Sequence, residues 1–285
     1  MNGLTLSAPI LLGIGAAFAY GASDFVGGIA SRRASAWAVA GASQATAAII
    51  AVPFAVMTFV LPTASSAGWA ALAGLGAGIG NVMIYHGLAT GRMLVVAPVA
   101  SIASTSFPVT LDVVTGYQPS AFISASMCVA LLACWFAAGG RVRAIGRAGK
   151  TDLATGVLAG MGFGTQFVAL GQIGESAGLT PVALSQIVSV AFIVAVPLTR
   201  RVRLSPMTNR SAGLAVAAGA LAGAATVLFQ VTAQSGPLTT AVVLTSLYPA
   251  VTVSLAAILL RERATRIQVL GLVLAAVSVI LIRFG

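Results

Sequence analysis

A chain of 285 residues that is 59% hydrophobic and only 7% charged, with a mean hydropathy of +1.03, carries far more apolar surface than one soluble core can bury. The net charge of +10 does not signal nucleic acid, because the 15 basic residues fall in short gaps between apolar runs and form no continuous patch. Cys128 and Cys134, six apart in one run, point to different faces of a helix. That spacing argues against a disulfide between them, and nothing in the sequence indicates a metal site, redox chemistry or a cofactor.

The apolar runs lack period-two alternation and are too long for barrel strands, so each is read as a membrane helix of about 20 residues. The first, 9–30, follows a segment without Lys or Arg, so the basic flank of a cleavable signal is missing and the run is expected to be retained. Arg32 and Arg33 come after it. Spans 35–59 and 69–89 follow, then Arg92, then spans 93–114 and 121–138 and the basic group Arg141, Arg143, Arg147 and Lys150. Spans 153–173 and 182–198 lead to Arg200, Arg201, Arg203 and Arg210. Spans 212–233 and 238–260 lead to Arg261, Arg263 and Arg266, and 267–282 closes the series of ten. Loops after odd-numbered spans hold 14 of the 15 basic residues, and loops after even-numbered spans hold none. Short cytoplasmic loops retain positive charge, so the odd loops are placed in the cytoplasm and both termini outside. Trp37, Trp69 and Trp135 fall near span ends, where an indole suits the headgroup region.

The chain repeats itself at an offset near 143 residues. Gly13 to Gly21 resembles Gly156 to Gly164, and Ser43-Gln44 recurs as Ser185-Gln186. Ala51-Val52-Pro53 recurs as Ala195-Val196-Pro197, and Ala73-Gly74 with Ala77-Gly78 recurs as Ala218-Gly219 with Ala222-Gly223. Gly91, Ser101 and Ser120 match Gly236, Ser246 and Thr265. The repeats are drawn at 1–145 and 146–285. Five spans is an odd number, so the second repeat enters the membrane from the opposite side. The predicted fold is therefore all-α, with ten transmembrane helices in two inverted five-helix repeats around a central cavity.

Leu244-Thr245-Ser246-Leu247-Tyr248-Pro249, Leu260-Arg261-Glu262-Arg263, Gln268 and Gly271 resemble the second repeat of EamA-type transporters, in the drug/metabolite transporter superfamily. Gly91-Arg92-Met93-Leu94-Val95-Val96-Ala97-Pro98-Val99 resembles the matching stretch of the first repeat. The first half departs at Gly116-Tyr117-Gln118-Pro119-Ser120, where the family commonly has Gly-Glu-Arg-Pro-Ser, so the acidic loop residue survives only as Glu262. The resemblance implies cytoplasmic termini; the charge distribution places them outside, and the charge-based orientation is kept.

An ionisable group inside a span is costly, so it is expected to face a cavity or a partner. Asp24 and His86 lie at similar depth, roughly 9–12 Å inside the cytoplasmic ends of the first and third spans, and form the candidate proton-coupling pair; the alternative is a local hydrogen bond for each near the interface. Asp112 lies near the outer end of the fourth span, a cap or interface position. The candidate substrate cavity takes the amides Gln44, Asn81, Gln166, Gln186 and Gln230 with Tyr20, Tyr85 and Tyr248 as aromatic walls, because amides in hydrocarbon need partners that a hydrated site supplies. Bonds between helices alone are the competing reading of these amides. Glycines at four-residue spacing, such as Gly74 with Gly78 and Gly219 with Gly223, are read as close helix contacts, and Pro98, Pro108 and Pro249 as kinks.

These features predict a secondary active transporter in the inner (plasma) membrane, multi-pass, moving a small-molecule substrate by alternating access. The family resemblance implies export of metabolites such as amino acids or drug-like solutes. Proton coupling is open, as is a monomer or homodimer, and a lipid-carrier flippase or a non-transporting membrane partner subunit is the alternative. An enzyme is not expected, since one histidine and no acidic cluster leave no ligands for metal-centred chemistry. No Gly-x-x-x-x-Gly-Lys loop is present to bind ATP.

Overall fold

The computed structural model describes residues 8–89, 93–116, 118–137, 150–202, 204–259 and 265–283. Gly91, Arg92, Tyr117, Arg141, Arg143, Arg147, Arg203 and the stretch from Leu260 to Arg263 lie outside the described residues, as does the side chain of Asp112.

Eleven α-helices occur among the described residues, with no strand: α1 Ala8–Ser31, α2 Ala36–Met57, α3 Ala64–Ala89, α4 Met93–Val114, α5 Ala121–Ala137, α6 Lys150–Gly171, α7 Thr180–Arg200, α8 Asn209–Gln234, α9 Leu238–Thr245, α10 Tyr248–Leu259 and α11 Arg266–Arg283. A short 3-10 turn, Glu175–Ala177, joins α6 to α7. Six helices, α1, α2, α3, α6, α7 and α8, are long and apolar enough to cross a membrane, and the others include shorter apolar helices. Their ends carry local stop and start chemistry. The Ser35 hydroxyl accepts from the Ala38 N–H at 3.2 Å to cap α2, and the Thr208 hydroxyl accepts from the Ser211 N–H at 3.2 Å to cap α8. The repeat partners Ser120 and Thr265 do the same for α5 and α11: Ser120 accepts from Ile123 N–H at 3.2 Å and Thr265 from Gln268 N–H at 3.3 Å. Gln268 answers by accepting from the Thr265 N–H at 2.9 Å, a reciprocal capping box.

The ninth run departs from the sequence expectation. One continuous helix over 238–260 is replaced by α9 and α10, separated at Ser246 and Leu247. Pro249 is the physical reason: it has no N–H to give the carbonyl one turn back, and its ring disfavours a helical residue before it. Ala250 N–H turns instead to the Leu247 carbonyl at 3.0 Å. The Ser246 carbonyl, left free by that shift, accepts the Cys134 thiol of α5 at 3.0 Å. Both cysteines are free thiols.

Helices pair chiefly across the two halves of the chain. The most extensive contacts join α1 to α8 and α3 to α6, then α4 to α6, α5 to α11, α2 to α8, α3 to α7 and α2 to α7. Glycines permit these approaches. A Cβ on Gly219 would collide with the Ser43 carbonyl, and a Cβ on its repeat partner Gly74 would collide with the carbonyl of Ser185, the repeat partner of Ser43. Gly13 presses on Leu244 while its counterpart Gly156 presses on Val99. The interior is accordingly built of small residues such as Ala16, Ala47, Ala73, Ala159, Ala218 and Ser189. Large apolar side chains, among them Phe18, Ile49, Val56, Leu198, Ile258 and Ile280, point outward. Small groups inside and bulky aliphatics outside is the distribution that lipid, rather than water, rewards.

Candidate functional site

The middles of α1, α2, α3, α6 and α8 and the start of α10 surround a narrow crevice with a cavity volume of about 20 Å³. Six of the residues singled out from sequence line it: Tyr20, Asp24, Gln44, Asn81, Gln166 and Tyr248. It is also lined by Ser23, Phe163, Phe167, Ala222 and Thr226, which the sequence reading did not select. The internal offset would have found most of them. Tyr20 corresponds to Phe163, Ser23 to Gln166 and Asp24 to Phe167 at 143 residues, and Asn81 corresponds to Thr226 at 145. Every member of these four pairs lines the crevice.

A chain of hydrogen bonds stiffens one wall. The Gln44 amide donates to Ser189 Oγ at 2.7 Å and to its repeat partner Gln186 Oε1 at 3.2 Å. Gln186 donates in turn to Thr226 Oγ1 at 3.2 Å, and Thr226 pairs with the Tyr20 hydroxyl at 2.9 Å. Four helices, α1, α2, α7 and α8, are tied in this way around buried amides that would otherwise be costly in lipid. Ser23 Oγ donates to the Ala218 carbonyl of α8 at 2.8 Å and Asn81 to the Ala77 carbonyl one turn back on α3 at 2.9 Å.

Asp24 is different. It is half-buried in the crevice wall, and among the described residues no hydrogen bond or ion pair reaches its carboxylate. Tyr20 of α1 and Tyr248 of α10 line the same crevice. The hydroxyls of Tyr85 and Tyr248 are themselves buried without a partner. Among the described residues, no Lys, Arg or His lines the crevice.

The remaining candidates lie elsewhere. Gln186 sits one bond behind the wall, and Tyr85 is fully buried with its hydroxyl against the Gly27 backbone. Gln230 is buried nearer the α6–α7 turn, where its amide donates to the Ile173 carbonyl at 3.2 Å. His86 is exposed on α3, about 100° around the helix from Tyr85. No group of three or more metal-ligating side chains occurs among the described residues.

Residues 150–284 match the model of the EamA-like transporter family. This second half of the chain is similar to that family. The match agrees with the resemblance drawn from the Leu244 to Pro249 stretch and Gln268, and the six helices long and apolar enough to cross a membrane fit a multi-pass membrane protein. The EamA-like family is one of transporters and not of enzymes, and its setting implies a small-molecule substrate and a lipid environment. A solved crystal structure superposes on this chain with a TM-score of 0.76 at 13% identity, covering 97% of this chain and 96% of that one. At that identity the likeness speaks for the fold alone. No curated protein matches.

Proposed function

We propose that this EamA-like protein is a secondary active transporter that moves small organic metabolites across the plasma membrane by alternating access, in the export direction and with proton coupling through Asp24. The observation that carries this reading is the crevice lined by corresponding residues of both halves, with one unpartnered carboxylate in its wall. Ten spans, the ninth of them broken into α9 and α10, divide into two inverted five-helix units at 1–145 and 146–285. Contacts that exchange with one another when the halves are exchanged, α1 with α8 for α3 with α6 and α2 with α8 for α3 with α7, support a twofold relation. A discontinuous helix beside a central site is the construction expected of inverted-repeat transporters, where one unit rocks on the other. The crevice is enclosed by a single chain, so a monomer suffices.

Proton coupling is assigned to Asp24, which faces the crevice, and not to the exposed His86. Purified protein in liposomes tests the reading. Counterflow of organic solutes without any partner subunit, driven by a pH gradient in the wild type and not in Asp24→Asn, is the expected result. Lipid scrambling without solute movement, or identical gradient-driven flux in the variant, would overturn it.

A further inference from the structure

We propose that the cleft between the end of α1 and the start of α8 binds the phosphate of an anionic phospholipid headgroup, held by Arg32, Arg33 and Arg210. The cleft has a cavity volume of about 210 Å³, against about 20 Å³ for the crevice between the halves. Its walls are Ile29, Arg32 and Arg33 on one side and Arg210, Ser211 and Leu214 on the other. Three guanidinium groups line one space, and among the described residues no Asp or Glu lines it. Each planar guanidinium can grip two phosphate oxygens at once, so the cluster suits a phosphate better than a halide or a lone carboxylate. Placement decides for a lipid as the source of that phosphate. Both helices are long and apolar enough to cross a membrane, and the cleft lies at their ends, the level of the headgroups. Ile29 and Leu214 give it an apolar side that the glycerol and acyl ends of a lipid cover and a free phosphate leaves bare.

The backbone on both sides of the cleft is fixed. Arg32 and Arg33 lie in the short link 32–35 between α1 and α2, where the Arg33 N–H closes a turn on the Ala30 carbonyl at 3.2 Å. Arg210 lies in the first turn of α8, which Thr208 caps. Ala30 and Ala215 belong to one buried apolar cluster, and Leu214 packs against it. The repeat supplies an internal control. At the 145-residue offset Thr208, Arg210 and Ser211 correspond to Thr63, Ser65 and Ser66, and the Thr63 hydroxyl accepts from the Ser66 N–H at 3.1 Å in the same cap. At the 143-residue offset Arg32 and Arg33 correspond to Glu175 and Ser176. The same corner therefore forms without arginine in the other half, and neither capping nor helix packing calls for the three cations. Retention of positive charge on one membrane face accounts for basic loops in general, but not for three arginines sharing one cleft.

Native mass spectrometry of the full chain in mild detergent, titrated with phosphatidylglycerol, phosphatidylcholine or inorganic phosphate, tests the site by binding alone, independently of any transport. One phosphatidylglycerol is expected to stay bound at concentrations where phosphatidylcholine and inorganic phosphate do not. The triple variant Arg32→Gln, Arg33→Gln, Arg210→Gln is expected to bind that lipid roughly a hundredfold more weakly, at about fivefold per arginine near an anionic headgroup. A control that removes the same charge elsewhere, Lys150→Gln, Arg200→Gln, Arg266→Gln, touches no residue of the cleft and is expected to keep the affinity within about twofold, since distant surface charges are largely screened. Thermal unfolding without lipid establishes that both variants are folded; if the triple variant is not, Arg210→Gln alone, with its fivefold loss, decides. Equal losses in the two triple variants would reduce the effect to general surface charge and overturn the site. Equal retention of phosphatidylcholine overturns it too, and binding of inorganic phosphate as tight as that of phosphatidylglycerol overturns the lipid assignment.

Discussion

The two halves of this chain share a scaffold and differ where the chemistry sits. Gly74 against the Ser185 carbonyl and Gly219 against the Ser43 carbonyl are the same contact made twice. Gln44 and Gln186 meet each other directly across the relation. The crevice breaks the likeness. Asp24 in α1 has Phe167 in α6 as its counterpart, a carboxylate in one half and an aromatic ring in the other, and both line the crevice. The uninterrupted helix α4 has as its counterpart the broken pair α9 and α10, because Ser104 stands where the second half has Pro249. In the proposed transporter, the near-symmetric frame supplies two equivalent arrangements to rock between, and the exceptions supply polarity and a hinge.

The largest expected effect breaks the asymmetry at its charge. Asp24→Asn should bring pH-gradient-driven flux in proteoliposomes to background while leaving thermal stability at or above wild type, since an unpaired carboxylate contributes nothing to the fold.

Next comes the symmetric frame. Gly74→Ala and Gly219→Ala should each cost about 1–3 kcal/mol in detergent unfolding, by forcing two packed helices apart. The two losses should match, whereas Gly213→Ala, with open space around it, should be neutral or slightly stabilising. A large loss at only one of the paired glycines would break the comparison.

Pro249→Ala sharpens it further. Restoring a backbone donor favours a continuous ninth helix, so flux should fall severalfold with little loss of stability. Equal falls in flux and stability would make the break a packing feature and not a hinge. The smallest effect belongs to the amide pair: a double-mutant cycle of Gln44→Leu and Gln186→Leu should return a coupling near 0.6 kcal/mol.

Much of this was legible before any coordinates. Hydrocarbon-length runs and the alternation of Arg-bearing loops revealed the helices, because both follow directly from the cost of burying charge and backbone in lipid. Asp24, Tyr20, Gln44, Asn81, Gln166 and Tyr248 were selected by the same cost, and all line the crevice. The break before Pro249 escaped because hydropathy reports side chains and is blind to backbone donors, although Tyr248-Pro249 in mid-run was the available signal. Phe163, Phe167 and Thr226 escaped because an aromatic or a threonine in an apolar run looks like packing; only the 143- to 145-residue offset from Tyr20, Asp24 and Asn81 marks them. The Cys134 thiol bonding to Ser246 carbonyl depends on a carbonyl that no sequence pattern shows to be free.

Opposite insertion of the two halves is the claim on which rocking about a shared crevice depends. Ala34, after α1, and Ala177, after α6, are 143 residues apart and sit at corresponding loops. In a background carrying Cys128→Ser and Cys134→Ser, Ala177→Cys should react with a membrane-impermeant maleimide in intact cells. Ala34→Cys should react only after permeabilisation. Labelling of both positions from the same side would contradict the account.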